Sequence, residues 1–258
     1  MNRSPSFDAQ AAAFDRRAGL PAGSQRRIAQ AIQQAAGRLP LVELGAGTGS
    51  LGSRLVGALA PYVGCDLSLA MLASFRRRSR APLVLADGEA PWPFAASTVG
   101  TVFASRSLHL MRRRALVPEI LRVLGPRPGC ALLVGRVVRS QGSPIARLRR
   151  RMHGSLRHLG LEPRAPKAHL AAVLKQCCDS GARVIEPSVA AAWTSRGTAA
   201  EALAAWRSKN GLAGRAITPE QQRQVLAEVE TWAAAEWPSL EAEMEWQTEY
   251  ILQGAAWP

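Results

Sequence analysis

The sequence predicts an α/β fold: a doubly wound seven-stranded sheet with an antiparallel last strand, plus a helical cap insertion. Three observations carry that expectation. Leu41-Val42-Glu43-Leu44 runs into glycines at alternate positions, Gly45, Gly47 and Gly49, and then into Ser50–Val56 with helical spacing. Short apolar β-type runs then alternate with amphipathic helical runs, the pattern of successive βαβ units. Near the C-terminal end, Met244, Trp246, Thr248, Tyr250 and Leu252 alternate with Glu245, Gln247 and Glu249, which is the period of a strand.

Length and composition agree with one large domain. The 258 residues are 47% hydrophobic and carry a net charge of +14, enough chain to bury a substantial core. The organisation read from the chain is a helical arm at 1–39, a core at 40–139, strand six with a substrate cap at 140–240, and a final strand at 241–258. No run of eighteen apolar residues exists, so no membrane span is expected. Met1–Gln10 is polar and lacks an apolar secretory core, and the four cysteines show no C-x-x-C spacing. These features predict a cytoplasmic protein with reduced, mostly buried thiols and no metal site.

The charge is uneven. Residues 1–219 carry a net +21 and residues 220–258 a net −7. All but three of the basic residues are arginine. Such a surface is either simply solvated or suits an acidic partner: a carrier protein, a phosphate-bearing group or nucleic acid.

In chain order, Ser6–Pro21 reads as a short helical arm, with Phe7 and Phe14 on one face. Ser24 is the expected cap of a helix whose stripe of Ile28, Ile32 and Ala35/Ala36 ends at Gly37. The strand at 41–44 and its glycine turn lead into a helix expected to reach about Leu59. Tyr62–Asp66 is a second strand, and Asp66 follows Glu43 by 23 residues, near the spacing at which an acid reaches ribose hydroxyls. Ser68 can cap the helix Leu69–Arg78, which frees Asp66 from that task. Leu83–Ala86 is a third strand followed by Asp87-Gly88, where an acid can accept from an amino group on a base while the next N–H donates. Val99–Ser105 is the fourth strand. Arg106-Ser107-Leu108-His109-Leu110 follows at its carboxyl end, where open α/β sheets bind ligands.

Glu119–Leu124 is helical and amphipathic, and Cys130–Val138 is an apolar fifth strand. Gln141–Leu159 places Ile145, Leu148, Met152, Leu156 and Leu159 at helical spacing beneath Arg147, Arg149, Arg150, Arg151 and Arg157. Lys167–Ser180 is a further helix, and Arg183–Trp193 a sixth strand. Thr198–Trp206 and Pro219–Trp237 are helices, the latter with Thr218 as N-cap and proline at the first helical position. The helices over 195–238 are expected to cap the substrate pocket.

A strand–glycine turn–helix offers close backbone approach and free N–H groups to a ligand. The carboxylate of Glu43, two residues before the first glycine, suits a cationic ligand better than a pyrophosphate. Glu43-Leu44-Gly45-Ala46-Gly47-Thr48-Gly49 resembles the E/D-x-G-x-G-x-G motif of the class I S-adenosylmethionine methyltransferases. Four further segments match in order: Asp66, Asp87-Gly88, Pro91-Trp92-Pro93-Phe94, and Glu119-x-x-Arg122-Val123-Leu124-x-Pro126-x-x-Gly129. The last looks like the segment before strand five in small-molecule methyltransferases of quinone biosynthesis. The carrier-protein methyltransferase of biotin synthesis has the same layout. Phe14-Asp15-Arg16-Arg17-Ala18 is similar to the Y-D-x-x-A arm that closes over the cofactor in such enzymes.

The resemblance implies a Rossmann-like fold, S-adenosylmethionine as cofactor, and methyl transfer by in-line displacement to an oxygen, carbon or nitrogen acceptor. The acceptor would be a small molecule or carried by an acidic protein at the arginine-rich face. Glu43, Gly45, Ala46, Gly47, Gly49, Asp66, Leu67, Asp87, Gly88 and Ser105 are implied to line the cofactor. His109 is the candidate general base for a hydroxyl acceptor. A nucleic-acid methyltransferase accounts for the basic charge. Against it, this chain has no N/D-P-P-Y/F motif after strand four, where it reads Ser105-Arg106-Ser107-Leu108. A non-catalytic cofactor-binding protein is a third reading, and an NAD-dependent oxidoreductase a distant one.

Overall fold

The computed structural model describes Asp8, Ala11, Phe14, Asp15, and residues 19–209 and 211–258. Phe7, Arg16, Arg17 and Ala18 lie outside the described residues. The elements are α1 (Ala22–Ala35), β1 (Leu41–Leu44), α2 (Gly52–Leu55), β2 (Tyr62–Asp66), α3 (Leu69–Arg76), β3 (Leu83–Leu85) and β4 (Thr101–Ser105). They continue with α4 (Arg113–Leu124), β5 (Ala131–Arg139), α5 (Pro144–His158), α6 (Pro166–Asp179), β6 (Arg183–Gly197), α7 (Ala199–Arg207), α8 (Pro219–Glu236) and β7 (Met244–Ala256). A single 3₁₀ turn, Leu108–Leu110, follows β4.

Seven strands form one sheet in the order β3-β2-β1-β4-β5-β7-β6. The first five are parallel, with β1 between β2 and β4. The last pairs run antiparallel. Gly129 donates to Trp257 and Ser140 to Gln247 across β5 and β7, so the partner number falls as the chain advances. Ser188 bonds to Leu252 and Ser195 to Thr248 across β6 and β7 in the same sense. The order reverses at β1, which puts the ends of β1 and β4 at the switch point where such sheets take ligands.

Chain contacts divide the fold into two compact units, 1–137 with 167–191 and 250–258, and 138–166 with 192–249. In the first, Val42, Val102, Leu132, Ile120 and Val173 are packed from the sheet and its helices. All four residues of β1 are buried, as expected for a central parallel strand covered on both faces. In the second, Leu148, Met152 and Leu156 of α5 pack with Leu203, Trp206, Val225 and Val229 of α7 and α8. The basic helix therefore buries its apolar stripe. Its Arg147 pairs with Glu236 and lies 5.8 and 5.4 Å from the ring centroids of Trp232 and Trp237, a cation–π setting.

Several boundaries differ from the sequence reading. Ser24 is not a cap. The helix starts after Pro21, and Ser24 is buried inside it. Regular helix after the glycine turn is only four residues long, Gly52–Leu55. Helix α4 starts at Arg113, six residues before Glu119, and runs through Pro118. Burial of Leu116, Val117 and Ile120 holds that turn although proline removes one helix bond. Strand β6 continues to Gly197 and β7 to Ala256. Ser68 caps α3 through Met71, and Thr198 and Thr218 form capping boxes with Glu201 and Gln221.

One packing contact ties β5 to β7. Tyr250 is fully buried, and its hydroxyl lies 2.7 Å from that of Ser105. It passes directly over Gly135, where an added Cβ would lie 1.7 Å from the Tyr250 oxygen. Gly135→Ala is expected to displace Tyr250 and to destabilise the fold by about 1–3 kcal/mol through overpacking. A thermal melt checks this, and a variant melting with the wild type would refute it.

Candidate functional site

The turn after β1 is built for close approach. Gly45, Gly47 and Gly49 have φ of 70°, 56° and 76°, in the left-handed region that glycine adopts without steric cost. The Leu44 carbonyl accepts from the Ser107 hydroxyl. Ala46 N–H donates to the Cys65 carbonyl at 2.9 Å, and Gly47 N–H donates to Asp66 Oδ2 at 2.8 Å. A Cβ added at Gly47 would meet nothing within 4 Å. Gly49 is not on the cavity wall. It backs onto the Phe75 ring, 2.1 Å from an added Cβ, so its task is packing.

Three acids stand at the carboxyl ends of β1, β2 and β3. Glu43 is 2% exposed and accepts a short hydrogen bond from the Tyr62 hydroxyl on the neighbouring strand. Gly52 makes room for this pair, since a Cβ there would lie 2.2 Å from the Tyr62 oxygen and 2.8 Å from Glu43 Oε2. Burial pushes the Glu43 carboxyl up to about 8, against the pull of the Tyr62 bond. Asp66 accepts from Gly47 N–H and, through Oδ1, from Ser68 N–H at 2.9 Å. Burial raises its pKa and those N–H donors lower it. Each oxygen keeps acceptor capacity for another donor. Asp87 Oδ1 accepts from Glu89 N–H at 2.8 Å, and the Gly88 carbonyl accepts from the Trp92 indole at 3.3 Å.

The opposite wall comes from the end of β4. Arg106 has a φ of 59°, in the left-handed region where a non-glycine residue is uncommon. Its N–H donates to the Gly135 carbonyl at 2.8 Å. Its guanidinium carbon is 6.0 Å from the centroid of the Phe14 ring. Burial lowers its pKa, while Tyr250, Asp15 and Glu43 oppose that shift. His109 lies on the 3₁₀ turn that follows and lines the same cavity.

Two carboxylates near the N-terminus, Asp8 and Asp15, bond to groups of this site. Asp15 accepts from the Thr48 hydroxyl at 2.6 Å, inside the glycine turn, and pairs with Arg78 at the end of α3. Asp8 accepts from the Ser68 hydroxyl and, at 3.3 Å, from Ala70 N–H. The loop at 91–94 is clamped as well. Arg122 donates to the Phe94 carbonyl at 2.7 Å and the Trp92 carbonyl at 3.1 Å, while Glu119 accepts from Trp92 N–H at 2.7 Å. That network is the physical content of the Glu119-x-x-Arg122 spacing: an i, i+3 pair that holds one loop by its backbone.

These elements enclose a cavity of about 350 Å³, within the range of ~300–1,000 Å³ for small-ligand sites. Of the residues implied by the sequence, Glu43, Gly45, Ala46, Gly47, Asp66, Leu67, Asp87, Gly88, Ser105 and His109 line it. Sequence reasoning missed Arg106, Ser107 and Met111 on the wall, and Tyr62 behind Glu43. Met111 packs over Gly88, 2.6 Å from an added Cβ. A basic residue directly after an apolar strand that ends in Ser105 was the available signal for Arg106.

The Glu43 carboxyl sets a pH dependence in the ligand-free protein. Its folded pKa, about 8, lies above the ordinary 4.5. The stability it contributes is full below pH 4.5 and is lost as pH rises through 8. Glu43→Gln is expected to flatten that part of the stability profile, read as melting temperature against pH. Parallel profiles for variant and wild type would exclude Glu43 as the proton holder.

Residues 41–127 match the model of a methyltransferase domain. No curated protein sequence matches the chain. Among solved structures, a Bacillus halodurans protein assigned as a methyltransferase aligns at 16% identity with a TM-score of 0.57, covering 90% of this chain and 98% of its own. A protein from Anaeromyxobacter dehalogenans assigned as a type II methyltransferase aligns at 16% and 0.55, covering 92% and 95%. Geranyl diphosphate C-methyltransferase from Streptomyces coelicolor, solved with Mg²⁺, geranyl diphosphate and S-adenosyl-L-homocysteine, aligns at 13% and 0.50, covering 100% and 86%. Residues 41–127 are thus similar to a methyltransferase domain, and the chain has the fold of these solved structures.

Proposed function

We propose that the chain transfers a methyl group from S-adenosylmethionine to a small-molecule or carrier-bound acceptor. The observation that carries this reading is the set of Glu43, Asp66 and Asp87 at three successive strand ends around the glycine turn, all on one cavity. The residues fit the cofactor. Two of its groups are cationic and four acids line the wall, while the open face of Gly47 admits a ligand against the backbone. When bound, S-adenosylmethionine supplies a methyl group on a positively charged sulfur. In this reading Asp66 accepts from the ribose hydroxyls, and Asp87 with Gly88 N–H reads the adenine edge. Glu43 faces the ammonium end. Catalysis then rests on alignment of the acceptor with that methyl group and on exclusion of water.

His109 is proposed as the base that takes a proton from a hydroxyl acceptor. The exposed Arg149, Arg150 and Arg151 of α5 offer a surface for an acidic carrier protein, which opposite charge would steer.

Calorimetric titration is expected to show S-adenosylmethionine binding in the micromolar range. Asp66→Ala and Gly47→Leu should abolish it, the second because a side chain there enters the cavity and strains a positive φ. Undiminished binding in both variants would overturn the assignment. For His109→Ala, turnover on a hydroxyl acceptor should fall about 10²–10⁴-fold, with a changed pH–rate profile. Unchanged turnover would dismiss the base role.

A further inference from the structure

Strand β6 ends the sheet. Its neighbour on one side is β7, and no described strand lies beyond it on the other. The strand is long and bare. Of its fifteen residues only Ala191 is buried, whereas β1 is buried throughout. Val184 and Val189 are 48% and 54% exposed. An edge strand presents a row of unpaired N–H and C=O groups, and proteins that stay apart guard it with charge, proline or a bulge. Residues 187–195 carry no charge. Pro187 stands at one end of that run, which leaves the alanines at its centre without charge or proline. The charges flank the run instead, Glu186 before it and Arg196 after it.

Opposite signs at the two ends of an uncharged strand make it complementary to itself. We propose that two copies of this chain pair along β6, antiparallel, about a two-fold axis at Ala191. Residues of an antiparallel pair face each other when their numbers share one sum, and a two-fold axis makes every contact occur twice. With the axis at Ala191, Glu186 stands opposite the partner's Arg196, Val189 opposite the partner's Trp193, and Ser188 opposite the partner's Thr194. An opposite-charge pair, a β-branched residue on an aromatic, and a hydroxyl pair are cross-strand combinations that stabilise a sheet. Moving the axis to Ala190 or Ala192 sets Glu186 opposite Thr194 or Thr198 and ends the charge match. Arg196 already bonds Glu245 of β7 at 2.6 Å. Glu186 forms no ion pair among the described residues. The pairing gives Glu186 a cation, sets each Arg196 between two carboxylates, and joins the open backbone groups of both edges into one ladder.

Sedimentation velocity of the full chain is the first test, and wild type is expected at twice the mass of one chain. Glu186→Arg, at an exposed position, should raise the dimer dissociation constant about tenfold or more, since arginine then faces arginine at both ends of the ladder. Adding Arg196→Glu restores opposite signs across the axis and should return most of the affinity. Val189→Lys, also at an exposed position, should weaken the dimer as a charge on an open edge does. Register is read by Ala191→Cys. Directly opposed antiparallel residues have Cα atoms about 4.5–5.5 Å apart, within disulfide reach, so mild oxidation should link two chains through residue 191. Val189→Cys lies roughly 13 Å along the strand from its own copy and should not link. Wild type oxidised in parallel controls for the native thiols. A monomeric wild type overturns the proposal. So does a dimer indifferent to both Glu186→Arg and Val189→Lys, or one in which folded Ala191→Cys fails to link. Ala191 is buried; if its variant misfolds, as read by circular dichroism, the loss with Glu186→Arg and the recovery with added Arg196→Glu decide.

Discussion

The buried contact between Glu43 and Tyr62 is the constraint around which the site is arranged. A carboxyl inside a central parallel strand is costly unless it is bonded or neutral. Tyr62 supplies the bond from the adjacent strand, and burial favours the protonated form. The tyrosine reaches Glu43 because Gly52 has no side chain, and its ring stacks edge-on against Phe75, 6.2 Å away. Phe75 in turn fills the space that Gly49 leaves. The glycine motif therefore does two jobs. Gly45 and Gly47 shape the cavity wall, whereas Gly49 and Gly52 let α3 and β2 close on the turn from behind.

The same economy of position holds the rest of the cavity. Asp66 accepts from Gly47 N–H before any ligand does, so the second strand end is already tied to the first. Asp15 bonds to Thr48 and to Arg78 at the end of α3 through one carboxylate. Arg122 and Glu119 fasten the 91–94 loop by its backbone. Each is a charged group bonded to backbone or to an opposite charge, the class of hydrogen bond that is stronger than a neutral pair. A preorganised wall of this kind lowers the ordering cost of binding.

Much of the architecture was legible in the chain. The seven strands and their order of appearance were read from periodicity, because strands and helices bury one face at different intervals. Caps at Ser68 and Thr218 were legible because a hydroxyl at that position satisfies orphan N–H groups locally, whereas Thr198, read as the first helical residue, is the cap of its helix. Ser24 has the same side chain but lies within α1, since Pro21 and the burial of Ile28 and Ile32 start the helix earlier. The full length of α4 was hidden by Pro118, a local breaker overridden by three buried neighbours. At the site, residues in the glycine motif and at strand ends were legible, because topology alone sends strand ends to one edge.

What the sequence determined by itself is the chemistry of the loop: three glycines after an acid, then acids at the next two strand ends, with a helix behind. Those are local properties of spacing and side-chain type. Only the tertiary structure decided which groups face one another. Tyr62 meets Glu43 through the register of β1 with β2, Tyr250 meets Ser105 through an antiparallel strand 145 residues away, and Arg106 turns inward through a positive φ. Such pairings depend on strand order and on the absence of a Cβ at Gly52 and Gly135, and no periodicity along the chain encodes them.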